Sequence, residues 1–313
     1  MVNETQAPDQ RDLLILQTLR SAHQPISGQL LAEQLGISRV ALWKRIEALK
    51  ACAYDIQAGK RGYWLRHDDA VVPWEFPQQT PIFYHMETGS TMDHAWDLAE
   101  AGAASGTMVL ADRQSSGRGR LSSQWYSPPG GLFLTIIIKA KIPASYATSL
   151  LMQGAYTIAA WLKREYNCPL GIQWPQSLVL ADRKVGGLLV EMAGTPECPH
   201  FFTLGLGLDL GVLGLSDHSP HRRAIANAFH DNLISWADNP IPQVESWRQF
   251  CAWSGKAIIL RDWQGQEWSG IAMGYDTRAA LQLQTHDTQS ILTFPAGETE
   301  TVHLDRSFSG VNA

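Results

Sequence analysis

Two apolar runs of strand length, TMVLAD at 107–112 and LFLTIIIKA at 132–140, enclose the segment Gln114-Ser115-Ser116-Gly117-Arg118-Gly119-Arg120. Both runs are rich in β-branched and aliphatic residues and too short for independent helices, so they read as strands. Alternating Gly and Arg between two strands does something a basic tail cannot. Glycine lets the backbone approach an anion closely, while the guanidinium groups close over it with fork-shaped donors. The chain must therefore build a sheet that carries an anion-binding loop, continued by Trp125-Tyr126-Ser127-Pro128.

The flanking regions set the architecture. With 313 residues the chain is too long for one ordinary domain and suggests two or three. Between Arg11 and Leu65 the apolar positions first follow helical spacing (Leu13, Leu16, Leu19, then Leu30, Leu31, Leu35) and turn strand-like after Tyr54. The segment DDAVVPWEFPQQ at 68–79 is acidic and contains proline, and reads as a linker. From 80 to 246, β-rich runs such as GGLLVEM alternate with helical ones such as SLLMQGAYTIAAWLKREY, a mixed α/β core. From 247 to 313, KAIILRD, QEWSGIAMGYD, AALQLQTH and SILTF follow at short spacing, with turns at Gly265 and Gly297, and read as a small β-barrel. The fold class is α+β and multidomain.

The N-terminal pattern PISGQLLAEQLGISRVALWKRIEAL predicts a helix, a tight turn at Gly36, and a second helix capped by Ser38. Val40, Ile46 and Leu49 are expected to pack on the first helix, leaving Arg39, Lys44, Arg45 and Lys50 on a basic exposed face. Such a face suits a recognition helix in the major groove of DNA. AYDIQAGKRGYWL resembles a two-stranded wing with Lys60 and Arg61 at its tip. The candidate DNA contacts are thus Ser38, Arg39, Lys44, Arg45, Lys60 and Arg61.

Charge supports that division. The net charge of −5 argues against a chain that coats nucleic acid along its whole length, but residues 1–66 hold nine Lys/Arg against six Asp/Glu. Cys52, Cys168, Cys198 and Cys251 are scattered without metal-ligand spacing and read as reduced core thiols, with no metal centre expected. No basic-plus-apolar leader and no apolar run of about 18 residues is evident, so a soluble, cytoplasmic protein with no membrane partner is expected.

Three further motifs occur in order: Gly89-Ser90-Thr91, QWPQSLVLADRKVGGLLVE at 173–191, and GLGLDL at 205–210. With the Gly-Arg loop, they resemble the biotin protein ligase family, whose usual motifs are STN, GRGRxGRxW, KWPND followed by KxxGIL, and GxGxN. The resemblance covers nearly the whole chain and points to the bifunctional class, in which the biotin ligase also represses biotin genes. It implies a winged helix-turn-helix at 1–67, a biotin/lipoyl ligase-like catalytic domain at 80–246, and an SH3-like barrel at 247–313. It also implies biotin and ATP as substrates with Mg²⁺, a biotin carboxyl carrier domain of acetyl-CoA carboxylase as acceptor, operator DNA, and a ligand-bound homodimer. Ser90, Thr91 and Gln114 would hydrogen-bond biotin, and Gly117 with Arg118 would hold it through the loop backbone. Arg120 would cover the adenylate, with Trp125 beside the nucleotide. Gly187, Gly205 and Gly207 would let the ligand lie close against strands, and Lys184 is the KxxG lysine.

The departures fall on site positions. The KWPND lysine is Gln173, its asparagine and aspartate are Gln176 and Ser177, the GxGxN asparagine is Asp209, and STN ends in Met92. Glutamine can donate a hydrogen bond but carries no charge, and losing a preorganised transition-state donor costs about 10²- to 10³-fold in rate. Arg118, Arg120, Lys184 and Gln173 are the candidate catalytic set, with Lys184 or Arg183 able to supply the missing cation. Three readings stay open at this level: a competent ligase and repressor, a ligand-sensing regulator with impaired catalysis, and a regulator whose pocket takes another small acid such as a lipoate-like molecule.

Overall fold

The computed structural model describes residues 9–68, 70–76, 81–214 and 221–305. Its N-terminal unit begins with α1 (Gln10–Ser21), fixed by a capping box in which the Asp9 carboxylate accepts from the Arg11 and Asp12 amides and Asp12 accepts from Asp9 N. α2 (Gly28–Leu35) and α3 (Arg39–Ala51) start at Ser27 and Ser38, whose hydroxyls accept from Leu30 N and Ala41 N. Gly36 turns the chain between them at φ 62°. The buried stripe on α3 is Leu42, Ile46 and Leu49, packed on Ile15, Leu16, Leu19, Leu31 and Leu35. Val40, expected in that stripe, is 65% exposed instead. Leu42, Ile46 and Leu49 lie four and three residues apart on one helical face, and Val40 falls on the opposite one. β1 (Asp55–Gly59) and β2 (Gly62–His67) form the expected antiparallel wing, and Ile26 pairs with Tyr63 as a third edge.

The central unit is a seven-stranded sheet. Its elements in chain order are β3 (Ile82–His85), α4 (Thr91–Glu100), β4 (Met108–Ala111), β5 (Leu132–Ile138), α5 (Ala147–Tyr166), β6 (Gly171–Gln173), β7 (Ser177–Leu180), β8 (Arg183–Gly194), β9 (Pro199–Leu208), α6 (His221–Asp238) and α7 (Val244–Arg248). The strand order is β3-β4-β5-β9-β8-β7-β6, antiparallel except for the β3–β4 pair. The period of two along each strand sorts the faces. Leu132, Leu134, Ile136 and Ile138 of β5 and Phe202, Leu204, Leu206 and Leu208 of β9 enter the core beneath α5 and α6. Ile137 and Phe201 point the other way, to Ala95 and Ala99 of α4. Thr203, Gly205 and Gly207 alternate with the β9 core residues and so share that second face, where the site lies.

The C-terminal strands β10 (Ala257–Asp262), β11 (Glu267–Tyr275), β12 (Leu281–Thr285), β13 (Ile291–Phe294) and β14 (Thr299–Leu304) form an antiparallel sheet in the order β13-β12-β11-β10-β14. This sheet shares its core with the central unit: Ile258, Leu260, Tyr275 and Leu281 join the same apolar cluster as α5 and Trp247. Trp174 Nε1 donates to Ala279 O at 2.7 Å across the junction.

The segment read as a linker is packed rather than solvated over its described part. Ala70, Val71 and Val72 are buried, and a 3₁₀ turn covers Pro73–Glu75; Asp69 and residues 77–79 lie outside the described residues. Arg20 of α1 grips Asp68 through two hydrogen bonds of 2.9 and 2.8 Å and reaches Glu75 at 2.7 Å. Arg223 of α6 meets the other Glu75 oxygen at 3.1 Å. Tyr54 also donates to Glu75, and burial beside that carboxylate pushes its phenol well above the usual range.

Gly62 fixes the wing against the helices. It sits at φ +130°, and an added Cβ would fall 1.9 Å from Ile26 O. Gly62→Ala should therefore destabilise the N-terminal unit by about 2 kcal/mol or more, read as a shift of its denaturant midpoint.

Candidate functional site

On the α4 face of the sheet, one cavity is walled by the α4 N-terminus, the loop 114–125, and strands β8 and β9. Ser90, Thr91, Gln114, Arg118, Arg120, Trp125, Lys184, Gly187, Gly205 and Gly207 all line it. Two members of the sequence-derived set do not. Gly117 stands behind the loop, where its carbonyl accepts from Trp125 N at 2.8 Å and an added Cβ would meet Trp125 O at 3.0 Å. Gln173 ends β6 opposite Ser177, outside the cavity wall.

A relay of hydrogen bonds fixes the inner end. Thr135 donates to Thr91 Oγ1 at 2.9 Å, Thr91 donates to Gln114 Oε1 at 3.1 Å, and Gln114 Nε2 donates to Ser127 at 3.3 Å. Thr91 N also donates to Gln114 Oε1, at 2.9 Å. Both components of the Gln114 amide are thus oriented, and one of its N–H groups is left over by stoichiometry. Ser90 caps α4 by accepting from Met92 N, which leaves its own O–H to donate.

The glycines on the strands open this face. An added Cβ at Gly207 would fall 2.4 to 2.6 Å from the Trp125 indole, and one at Gly187 would fall 3.2 Å from the same ring. Trp125 therefore lies flat on bare backbone. Its Nε1 is buried without a hydrogen-bond partner. Met92, in the place of the family asparagine, covers Gly205: a Cβ there would stand 2.7 Å from its sulfur.

The cations of the site are unequally free. Arg118 forms a fork with Glu191, at 3.1 and 2.7 Å, and also contacts Asp93. Arg120 donates to the carbonyls of Ala296 and Thr299 next to β14, and its burial disfavours its charge. Lys184 stands 5.2 Å above the centroid of the Trp125 ring and, among the described residues, has no ion pair. Burial holds its pKa below the ordinary lysine range. Glu191 and Asp93 were absent from the sequence reading. A signal for Glu191 existed: Gly187, Leu189 and Glu191 alternate along β8 and share its cavity face.

The substituted positions divide. Gln176 lines the cavity, and its carbonyl accepts from Leu188 N at 3.0 Å. Ser177 pairs with Gly187 in the β7–β8 ladder. Asp209 turns its carboxylate away to cap a turn, accepting from Val212 N at 3.1 Å.

The N-terminal unit carries a second candidate surface, a groove between α3, the start of α2 and the wing. Arg39, Lys60 and Arg61 line it, while Ser38 is the α3 cap and Lys44 is exposed one turn on. Arg45 is placed elsewhere: its guanidinium binds Asp9 and Asp12 of α1 at 2.8 Å each, which removes it from the groove face.

A helix-turn-helix with a wing is thus joined to a mixed sheet that carries a glycine-floored, cation-lined pocket. Residues 11–64 match the family described as HTH domain, and 86–209 match the biotin/lipoate A/B protein ligase family. The chain is 31% identical over 235 residues to a biotin–[acetyl-CoA-carboxylase] ligase of Paracoccus denitrificans, covering 67% of this chain and 96% of that one. It is 30% identical over 195 residues to the bifunctional ligase/repressor BirA of Bacillus subtilis, spanning 59% of this chain and 60% of the relative's length. With BirA of Salmonella typhimurium the identity is 27% over 297 residues, 82% and 88% of the two chains. The biotin protein ligase of Aquifex aeolicus in complex with biotin and ATP shares the fold, with a TM-score of 0.59 at 18% identity over 72% of this chain and 99% of that one. The chain belongs to the biotin protein ligase family, in the class that carries an N-terminal helix-turn-helix domain.

The loop geometry gives a direct test. Gly207→Ala should lift Trp125 off β9 and expose the bonds after Arg118 and Arg120, speeding tryptic cleavage there several-fold while the far-ultraviolet circular dichroism is unchanged. Glu191→Gln should do the same for the bond after Arg118.

Proposed function

We propose that the protein is a bifunctional biotin ligase and biotin-responsive repressor. It forms biotinyl-5′-AMP from biotin and ATP and transfers biotin to a lysine of a biotin carboxyl carrier domain. The observation that carries this reading is the donor-rich, glycine-floored cavity that gathers ten of the twelve residues proposed to hold or activate the two substrates. Ser90 and Gln114 each keep a hydrogen to donate to biotin's polar groups, and Gly187, Gly205 and Gly207 let Trp125 and Met92 pack close on the strands to form the wall against which the ligand would lie.

In the first step an oxygen of the biotin carboxylate attacks the α-phosphorus of ATP and pyrophosphate leaves. Two anions meet, so the barrier falls only if fixed positive charge faces both. Lys184 is the proposed source of that charge, because Arg118 is already balanced by Glu191 and Asp93. It takes the place of the lysine that Gln173 lacks. In the second step the carrier amine attacks the acyl carbon of the mixed anhydride, AMP leaves, and the nitrogen gives up a proton as the amide forms.

Among the described residues no group of three or more His, Cys, Asp or Glu is placed to hold a metal. Mg²⁺ is proposed to enter with the nucleotide, where it would offset part of the phosphate charge. The C-terminal sheet is taken as the SH3-like domain of this family, beginning near residue 247, with the catalytic domain at 80–246. A ligand-bound homodimer would present two helix-turn-helix units to an operator. The cytoplasm is the proposed place of action; no helix among the described residues is long and apolar enough to cross a membrane.

Purified protein with biotin, ATP, Mg²⁺ and an acceptor domain, scored separately for adenylate and for biotinylated acceptor, tests the reading. Both products are expected, and Lys184→Met should cut adenylate formation by about 10²-fold or more. Biotin binding without any adenylate would favour the regulator with impaired catalysis.

The lowered pKa of Lys184 sets the pH response. The cation is present below that value and is lost as pH rises through it, so adenylation should decline on the alkaline side earlier than the ordinary lysine value would allow. Lys184→Arg keeps its charge through this range and should flatten the alkaline limb, even if the maximal rate is lower.

A further inference from the structure

α3 exposes two large apolar side chains that the fold does not use. Val40 is 65% and Trp43 54% exposed, whereas Leu42, Ile46 and Leu49 on the same helix are buried. Positions three apart share one helical face, so Val40 and Trp43 stand side by side, with Arg39 and Lys44 adjoining. Both line the groove that faces the wing. Across it stand Lys60 and Arg61.

The charges around this pair are open. Among the described residues Arg39, Lys44, Lys60 and Arg61 have no ion pair, while Arg45 and Lys50 of the same helix are neutralised by Asp9, Asp12 and Glu47. An apolar centre with an unneutralised cationic rim fits a partner that is anionic at its edges and locally apolar between them. The major groove of duplex DNA has that form: phosphates on both sides, and the thymine 5-methyl as the apolar group on its floor.

We infer that Val40 and Trp43 are specificity-determining residues that read thymine methyl groups in the target duplex. This rests on the reading of the N-terminal unit as a DNA-binding domain. The four cations contact phosphates and set affinity, whereas the apolar pair sets the sequence preference. Val40 presents no polar group to a base pair, and Trp43 presents only the indole N–H.

The test begins with full-length protein, biotin, ATP and Mg²⁺, used to select binders from a randomised duplex pool. In the enriched duplex each thymine is then replaced by deoxyuridine, which deletes only the methyl group. Wild-type protein should lose about fourfold in affinity for each contacted methyl, the worth of one buried methyl-sized group. Trp43→Ala and Val40→Ala should each bind the methylated and demethylated duplexes equally at one position, with the slope of affinity against salt unchanged. Replacing Arg39 should lower that slope and leave the methyl effect in place. Methyl deletions that weaken wild type and both variants alike, or weaken none, would overturn the inference while leaving DNA binding intact. Preference of the wild type for a single strand of the same sequence would also overturn it, assigning Trp43 to base stacking. Failure to enrich any duplex would instead overturn the DNA-binding reading beneath it.

Discussion

The contact between the Trp125 ring and the unsubstituted backbone of Gly207 and Gly187 organises the site. Strand periodicity places these glycines on the face opposite the Leu204–Leu206–Leu208 core stripe, so the sheet is thick on one side and flat on the other. Only a flat side lets the Gly-Arg loop fold down far enough for its guanidinium groups to reach the α4 carboxylate and the C-terminal sheet. Core, loop and cavity thus follow from one alternation.

Charge is distributed with the same economy. Arg118 sits between Glu191 of β8 and Asp93 of α4, which ties the loop to two walls of the cavity at once. An ion pair of this kind adds rigidity more than affinity for a second anion, because its field is already balanced. Lys184 differs: it stands exposed over an aromatic face with no ion pair among the described residues, so its charge is available to an incoming anion. Of the substituted motif positions, Gln176 lines the cavity while Gln173 and Ser177 sit in the β6–β7 pairing beside it.

Much of this was legible in the sequence because it was written in local rules. The Ser38 cap, Gly36, the wing tip and the strand runs around the loop all follow from spacing and backbone preference, and the site glycines followed from motif resemblance. What escaped were facts of three-dimensional rotation and partner choice. Arg45 and Arg39 are both basic residues of α3, yet only the packing of α1 decides that Arg45 turns back to Asp9 and Asp12. Val40 and Leu42 are both aliphatic, and a two-residue offset on a helix moves one to solvent and the other to the core. The acidic stretch at 68–79 reads as a linker, yet Asp68 and Glu75 are held by Arg20 and Arg223 from two different units.

Arg120 fastens the loop to the C-terminal sheet through the main-chain oxygens of Ala296 and Thr299, not through side chains. A carbonyl is present whatever residue carries it. The fastening itself therefore asks nothing of the side chains at 296 and 299, which answer to other constraints: Ala296 is buried in the apolar core and the buried Thr299 hydroxyl donates to Pro295 O. The heritable part of the interaction resides in Arg120 alone.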